Sequence, residues 1–549
     1  MSATILFLPL FILQVLWFIV PGLGVAVWLC KKKRIANLYV LLVGALLSCV
    51  LGYIAFWIFL VSRPWGEVYS WAVLILAGTV LVKLLVNARA RKILFSFHVL
   101  MPFTLWCLTT IFYTSMVLGC HVPTTPVYPE PSCYLNKSTS DNVLPQQFAD
   151  NVYQGHAKKL MGDWHGSDRP PLQSGIVLME APLTELTKDD SMSYRLLATF
   201  LQVLWVPAVW LLSKRLGLKN SQLAVVLILC LSSGFFFFNS IFTWPKLLAG
   251  SLGAVGLSLL VFEKPSITRW SLAGIAVGTS LLAHSAVAFA FMPLVIFLCQ
   301  KRFFPGWKIA LAGTSATLVL LVPWTAYQHF YDPPGNRLLK WGIAGVIPVD
   351  NNSFSHDLIN SYSHAGLSGT LKNKFSNAYT IFYDQDKQSY TSINKLVGAL
   401  RANEFYFIFC ALGLLNIGWL SFWFKKSRHR LYKSGLDPMR IKYVLGLALV
   451  SLVFFTILMF GPDATIIHEG SYLTMILLFV GLAAIISTYS RNFSRTIIGL
   501  KLFYFLCVWM IPIYWHHSTN NIYVFWAVLS GFVIAYCLVH LGKRNPVDS

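Results

Sequence analysis

An all-α, polytopic membrane protein is the fold class this chain predicts, and three observations predict it. Hydrophobic residues make up 56% of the 549 positions and charged residues only 12%, whereas about a quarter of a soluble domain is charged. Apolar runs of roughly 18 residues or more, each able to cross a hydrocarbon layer ~30 Å thick, recur along nearly the whole length. The formal charge of +22 gathers in short connections: Lys31-Lys32-Lys33-Arg34, Arg89-Ala90-Arg91-Lys92, Lys214-Arg215, Lys301-Arg302, residues 425–430 and Lys543-Arg544. That distribution is the positive-inside pattern of a membrane protein, not a nucleic-acid surface. Membrane lipid is the partner it implies.

Taken in order, the apolar segments lie near residues 5–29, 38–60, 69–86, 93–118, 196–212, 222–238, 247–261, 270–282, 286–298, 309–324, 405–424, 444–460, 472–486, 497–513 and 522–541. By length they make a bundle of about 13–15 transmembrane helices. The first segment has no basic residue before it and the Lys31-Lys32-Lys33-Arg34 cluster after it, the reverse of a cleaved signal, so it is expected to stay as a helix. Segments 270–282 and 286–298 are short for crossings. With His284 at their junction, they form either two helices around a submerged turn or one long tilted helix.

Placing the basic connections in the cytoplasm puts the N-terminus outside and the C-terminus inside. A single transmembrane domain, 1–549, then carries two large extracytoplasmic loops, 120–194 and 326–401. The acidic residues agree independently, since of 21 only Glu263, Asp437 and Asp548 fall in the inner connections. No internal repeat is visible, which lowers the weight of an inverted-repeat transporter. Of the ten cysteines, all but Cys120 and Cys133 sit in or at the ends of apolar segments as small hydrophobes. Those two open the first outer loop in a compartment that permits a disulfide, and their pairing stays open.

The chemistry concentrates in that loop. Ser140-Asp141-Asn142, then Pro145, with Leu144, Phe148 and Val152 four apart, reads as a capped amphipathic helix resting on the membrane surface. Asp141 is either its N-cap or a general base beside an apolar surface. In Asp168-Arg169-Pro170-Pro171-Leu172 the prolines hold the backbone extended and present Asp168 and Arg169 rigidly. The pair either closes the loop or lets Arg169 face a phosphate, with Asp168 orienting it. In the second loop Tyr331-Asp332-Pro333-Pro334-Gly335 leads to Arg337 and Lys340, cations suited to a lipid phosphate or to plain head-group anchoring.

Two short polar-aromatic connections carry Trp244-Pro245-Lys246 and His468-Glu469. The latter pair leaves a divalent metal possible, and no other cofactor is implied. The chain has no G-x-x-x-x-G-K-[ST], H-E-x-x-H or paired C-x-x-C, so ATP-driven transport and the common zinc sites lose support.

The set Asp141-Asn142, Phe148, Tyr153, Asp163 and Asp168-Arg169-Pro170-Pro171-Leu172 resembles the first outer loop of the GT-C superfamily of polyprenyl-phosphate-dependent glycosyltransferases. That superfamily includes protein mannosyltransferases and aminoarabinose transferases. The resemblance implies a GT-C-like bundle in the bacterial inner membrane, working at the outer face of the envelope. The implied reaction is an inverting transfer of sugar from a polyprenyl-phosphate donor to a glycan, lipid or protein acceptor, with Asp141 taking the acceptor proton. Many relatives have Asp-Glu where this chain has Asp141-Asn142, so Asp150 or Asp168 is the candidate second carboxylate. Candidate donor-phosphate and substrate contacts are Arg169, Lys246, Arg337, Lys340, His284, His468, Glu469 and Tyr153. Two other readings stand beside this one. A transporter or flippase of a lipid-linked glycan requires ionisable groups inside spans, for which Lys83 and His284 are candidates. An O-antigen-type polymerase or ligase shares the chemistry and differs in acceptor.

Overall fold

Where no water satisfies peptide groups, an apolar chain folds as helices whose backbone bonds are internal. The computed structural model, described for residues 3–119, 134, 140–187, 190–300, 303–350, 352–382, 392–422, 434–461, 471–510 and 521–543, is almost wholly of this kind. Helices α1 (Ala3–Lys31), α2 (Val40–Val61), α3 (Arg63–Val86), α4 (Ala88–Leu94) and α5 (Phe97–Gly119) come first. Next are α6 (Leu144–Tyr153), an antiparallel hairpin of β1 (Lys159–Met161) and β2 (Trp164–His165), α7 (Leu172–Met179) and α8 (Ala181–Thr187).

The middle of the chain holds α9 (Asp190–Gln202), α10 (Trp205–Arg215), α11 (Asn220–Leu231), α12 (Gly234–Ile241), α13 (Lys246–Val261), α14 (Ile267–Ala283), α15 (Ala288–Cys299) and α16 (Trp307–Ala326). A single turn, α17 (Arg337–Leu339), precedes α18 (Phe354–Thr380), α19 (Ile393–Tyr406) and α20 (Ile408–Leu412). The last helices are α21 (Pro438–Leu458), α22 (Tyr472–Ile486), α23 (Arg491–Phe505) and α24 (Asn521–Lys543).

Among the described residues nine helices are long and apolar enough to cross a membrane, or up to eleven if each of two bent pairs counts as one span. The other segments of the 13–15 expected are present as helices that are bent or short. The pair α11 and α12 bends by 60°, and α19 bends by 105° against the stretch that begins with α20. The remaining apolar segments, α13, α14, α22 and Ser285–Cys299, are helical but short. The chain does break at His284, whose φ of −157° and ψ of 123° are extended, so α14 and α15 are two helices and not one.

Among the described residues, several of the basic connections meet one another. Lys31 Nζ donates to Asn87 Oδ1 at 2.8 Å, Arg269 Nε to the Arg34 carbonyl at 3.2 Å, and Arg440 Nη1 to the Arg215 carbonyl at 2.6 Å. Glu263 pairs with both Arg215 and Arg269. The ends of α1, α3, α10 and α13 and the starts of α14 and α21 therefore share one end of the bundle. From that end α14 runs about 25 Å, at 1.5 Å per residue, to His284, and α13 runs back to Lys246. The residues of chemical interest lie at this far end.

Close helix approaches are set by glycine pairs, the usual device where small residues let backbones meet. A Cβ on Gly175 of α7 would stand 2.3 Å from the Gly52 carbonyl oxygen of α2, and one on Gly274 of α14 would stand 2.0 Å from that of Gly313 on α16. The short α7 is thus pressed into α2, and residues 140–187 are bound to the bundle by packing. Leu144, Phe148 and Val152 of α6 are buried, with the Phe148 ring 5.5 Å from Phe56 of α2. This corrects the expectation that the α6 stripe rests on the bilayer, because protein helices cover it instead.

Candidate functional site

The turn Ser140–Asn142 leads into α6, which starts with Pro145 in its first turn. Its N-cap position is Val143, so Asp141 is not the cap. The Asp141 carboxylate instead faces Arg169, with Nη2 to Oδ1 at 2.9 Å and both side chains about 15% exposed. Arg169 itself is extended, with φ −127° and ψ 129°, whereas Pro171 already has the helical φ −90° and ψ −3° of the α7 N-cap, which corrects the expectation that both prolines hold the backbone extended; α7 is fixed on α2. The guanidinium is therefore delivered from a rigid base. Its Nε is buried and has no hydrogen-bond partner among the described residues, so Arg169 keeps donor capacity beyond the Asp141 pair.

These two residues line a pocket with Pro145, Trp244, Pro245 and His284. His284 Nδ1 accepts the Ala286 N–H at 3.3 Å, which places the proton of a neutral imidazole on Nε2. Its ring stands 5.5 Å from Trp244. Lys246 begins α13 beside this wall, 3% exposed, with Nζ 3.5 Å from the centre of the Trp244 ring and 5.4 Å from that of Tyr472. An acid, a guanidinium and an imidazole thus line one concavity, with a buried ammonium packed on its Trp244 wall. The set suits an anionic ligand next to a group that gives up a proton.

The other expected residues stand elsewhere. Asp168 is 5% exposed and accepts the His165 N–H at 2.9 Å. Burial pushes its carboxyl above the ordinary value. Arg337 donates to the Asp163 carboxylate at 2.7 Å and to the carbonyls of Asp163 and Ile347, while its guanidinium lies 3.8 Å from the centre of Trp164. The hydrogen bond from Arg337 holds the Asp163 carboxyl below its ordinary value. Lys340 pairs with Asp357 at 2.7 Å and with Asp350. Asp332, 2% exposed, accepts from Ser167 N and pairs with His165 Nδ1.

Together these contacts bolt the hairpin to residues 327–357, and they engage the cations that the sequence offered to a lipid phosphate. Tyr153 bonds Arg63 at 2.6 Å and Glu67 at 2.9 Å on α3. Asp150 is half-buried on α6 and does not line the pocket. His468, Glu469, Cys120 and Cys133 lie outside the described residues. Among the described residues no three His, Cys, Asp or Glu side chains converge as a metal set.

Behind the pocket runs a buried polar chain that sequence reading missed. Gln202 Nε2 donates to Gln173 Oε1, and Gln173 Nε2 donates to the Thr243 carbonyl, both at 2.9 Å. The Asn142 carbonyl accepts both Tyr194 O–H at 2.8 Å and Thr243 O–H at 3.0 Å. Thr243 has φ +58°, a left-handed conformation that costs a non-glycine residue on the order of 1–3 kcal/mol. The available signal was Gln202, a polar residue inside an apolar segment. Nothing in the sequence marks the Thr243 backbone. Set against known protein families, curated proteins and solved structures, the chain matches none.

Proposed function

We propose that the chain is a membrane glycosyltransferase that moves a sugar from a polyprenyl-phosphate donor to a hydroxyl of an envelope glycan, lipid or protein. The observation that carries this reading is the Asp141–Arg169 couple in a pocket shared with Trp244, Pro245 and His284. Asp141 accepts the acceptor proton as the new glycosidic bond forms, and the lipid phosphate leaves with the electrons of the broken bond. Arg169, through donors not used on Asp141, and Lys246 offset the charge that grows on that phosphate. Trp244 and Pro245 offer an apolar wall for a sugar ring. Arg337 and Lys340 are left to the clamp because carboxylates already engage them.

One observation favours a transporter of a lipid-linked glycan. Broken helices that meet ionisable groups build many transport sites, and the breaks in α11–α12 and α19–α20 surround Arg401, Glu404 and Lys501, each at most 6% exposed. Glu404, however, accepts Gly234 N–H at 2.7 Å and Trp509 Nε1–H at 2.8 Å, with Lys501 Nζ 3.8 Å away. Both carboxylate oxygens have protein donors, which suits a brace better than a pathway.

The test uses purified protein in vesicles loaded with polyprenyl-phosphate-linked sugars and with an envelope glycan and lipid extract as the source of the acceptor hydroxyl. A transferase consumes donor and releases free polyprenyl phosphate. Movement of intact donor between leaflets with no consumption favours the transporter and rules against the transferase.

A further inference from the structure

Among the segments that line the pocket, three are far apart in sequence: the one that begins with Asp141, the one that begins with Arg169, and Trp244 with Pro245. A single buried residue ties them. Thr243 directly precedes Trp244, is fully buried, and donates its hydroxyl at 3.0 Å to the carbonyl of Asn142, the residue after Asp141. Its own carbonyl accepts from Gln173 at 2.9 Å, and Gln173 lies in the first turn of α7 just after Arg169-Pro170-Pro171. One residue is thus hydrogen-bonded to two of these segments and adjoins the third along the chain.

The conformation of Thr243 points the same way. A β-branched side chain at φ +58° is a backbone outlier, and such residues persist only where the surroundings over-determine them. Glycine or asparagine would adopt this turn with less strain. Glycine, however, has no hydroxyl, and neither residue offers a β-hydroxyl to the Asn142 carbonyl. Tyr194 donates to the same carbonyl at 2.8 Å, so the oxygen beside Asp141 is held from two directions.

We infer that Thr243 is a positioning residue, whose hydroxyl fixes the Asp141 turn against the Trp244–Lys246 wall and so sets the register between proton acceptor and anion site. The inference rests on the transferase reading for its catalytic consequence, but its structural core does not need it. Thr243→Val removes the hydroxyl and keeps the branching. Thr243→Ser keeps the hydroxyl.

The experiment reads hydrogen–deuterium exchange of the amides at residues 141–144 in vesicle-embedded protein, without substrate, and donor turnover in parallel. In Thr243→Val, exchange at 141–144 rises about tenfold or more, and kcat falls roughly 10- to 100-fold with KM little changed, as misplacement of a reacting group produces. Thr243→Ser restores both. Exchange at 141–144 unchanged in Thr243→Val, or raised equally in Thr243→Ser, overturns the inference. Should Thr243→Val not fold, Tyr194→Phe decides, since loss of the second bond to the same carbonyl must also speed exchange at 141–144, and an unchanged rate overturns the inference. Wild-type protein that turns over no donor sinks the transferase reading while the exchange result still stands or falls separately.

Discussion

At the scale of single residues, two groups of ionisable side chains separate by what already engages them. Asp141 and Arg169 face a pocket, and Arg169 keeps an unused donor. Arg337 and Lys340 are closed off by Asp163, Asp350 and Asp357. Alanine at Arg337 or Lys340 is therefore expected to lower the unfolding temperature and leave donor KM within about twofold in the protein that folds. A thermal melt with donor titration checks this, and a selective rise in donor KM returns these cations to the phosphate site. Arg169→Lys keeps the charge but not the planar fork, so donor turnover should fall about tenfold or more while the melt stays near wild type.

Asp141, Arg169, Lys246 and His284 were legible because a charge beside a proline turn or within an apolar stretch stands out. Of the two alternatives for Asp141, the N-cap of α6 fails, since Val143 holds that position. Thr243 was invisible because left-handed threonine has no sequence signature and its partner lies 101 residues away.

At the scale of elements, helix existence was legible from apolar length, whereas bends and partners were not. Nothing local in residues 140–187 says that α7 packs on α2, because that depends on Gly52 and Gly175 meeting at long range. Gly175→Leu forces a side chain into the Gly52 backbone, and overpacking of this kind costs typically 1–3 kcal/mol. A lower melting temperature together with loss of donor turnover is expected. A wild-type melt contradicts the packing described.

The clamp has a pH signature. Hydrogen bonding from Lys340 holds the Asp357 carboxyl below its ordinary value. A depressed folded pKa contributes stability that is present above the unfolded value, near 4 for an aspartate, and lost as pH falls through the folded value. Stability measured from pH 6 down to pH 3 should therefore fall less steeply in Asp357→Asn than in wild type, and equal slopes contradict the pairing.

At the scale of the whole molecule, the described connections around Lys31, Asn87, Arg215 and Arg269 lie at one end of the bundle and the pocket at the other, and the charge pattern predicts a polarity in which the first end faces the cytoplasm. Cysteines introduced at Gly155 and at Arg34, in a background without native cysteines, should label from opposite faces of sealed vesicles, and same-face labelling overturns that polarity. The helix count was the least legible feature at this scale, because four spans are short and two are bent.

The central claim is that Asp141 removes the acceptor proton in sugar transfer. Positioned base catalysis is typically worth about 10²–10⁴-fold, and Asp141→Asn keeps the size and one accepting oxygen of the side chain while removing the base. The most direct measurement is mass spectrometry of envelope glycans and of the polyprenyl-linked sugar pool in a deletion strain complemented with wild type or Asp141→Asn at equal membrane abundance. The expected result is that wild type restores a sugar modification while Asp141→Asn restores none and lets the lipid-linked donor accumulate. Full restoration by Asp141→Asn contradicts the claim.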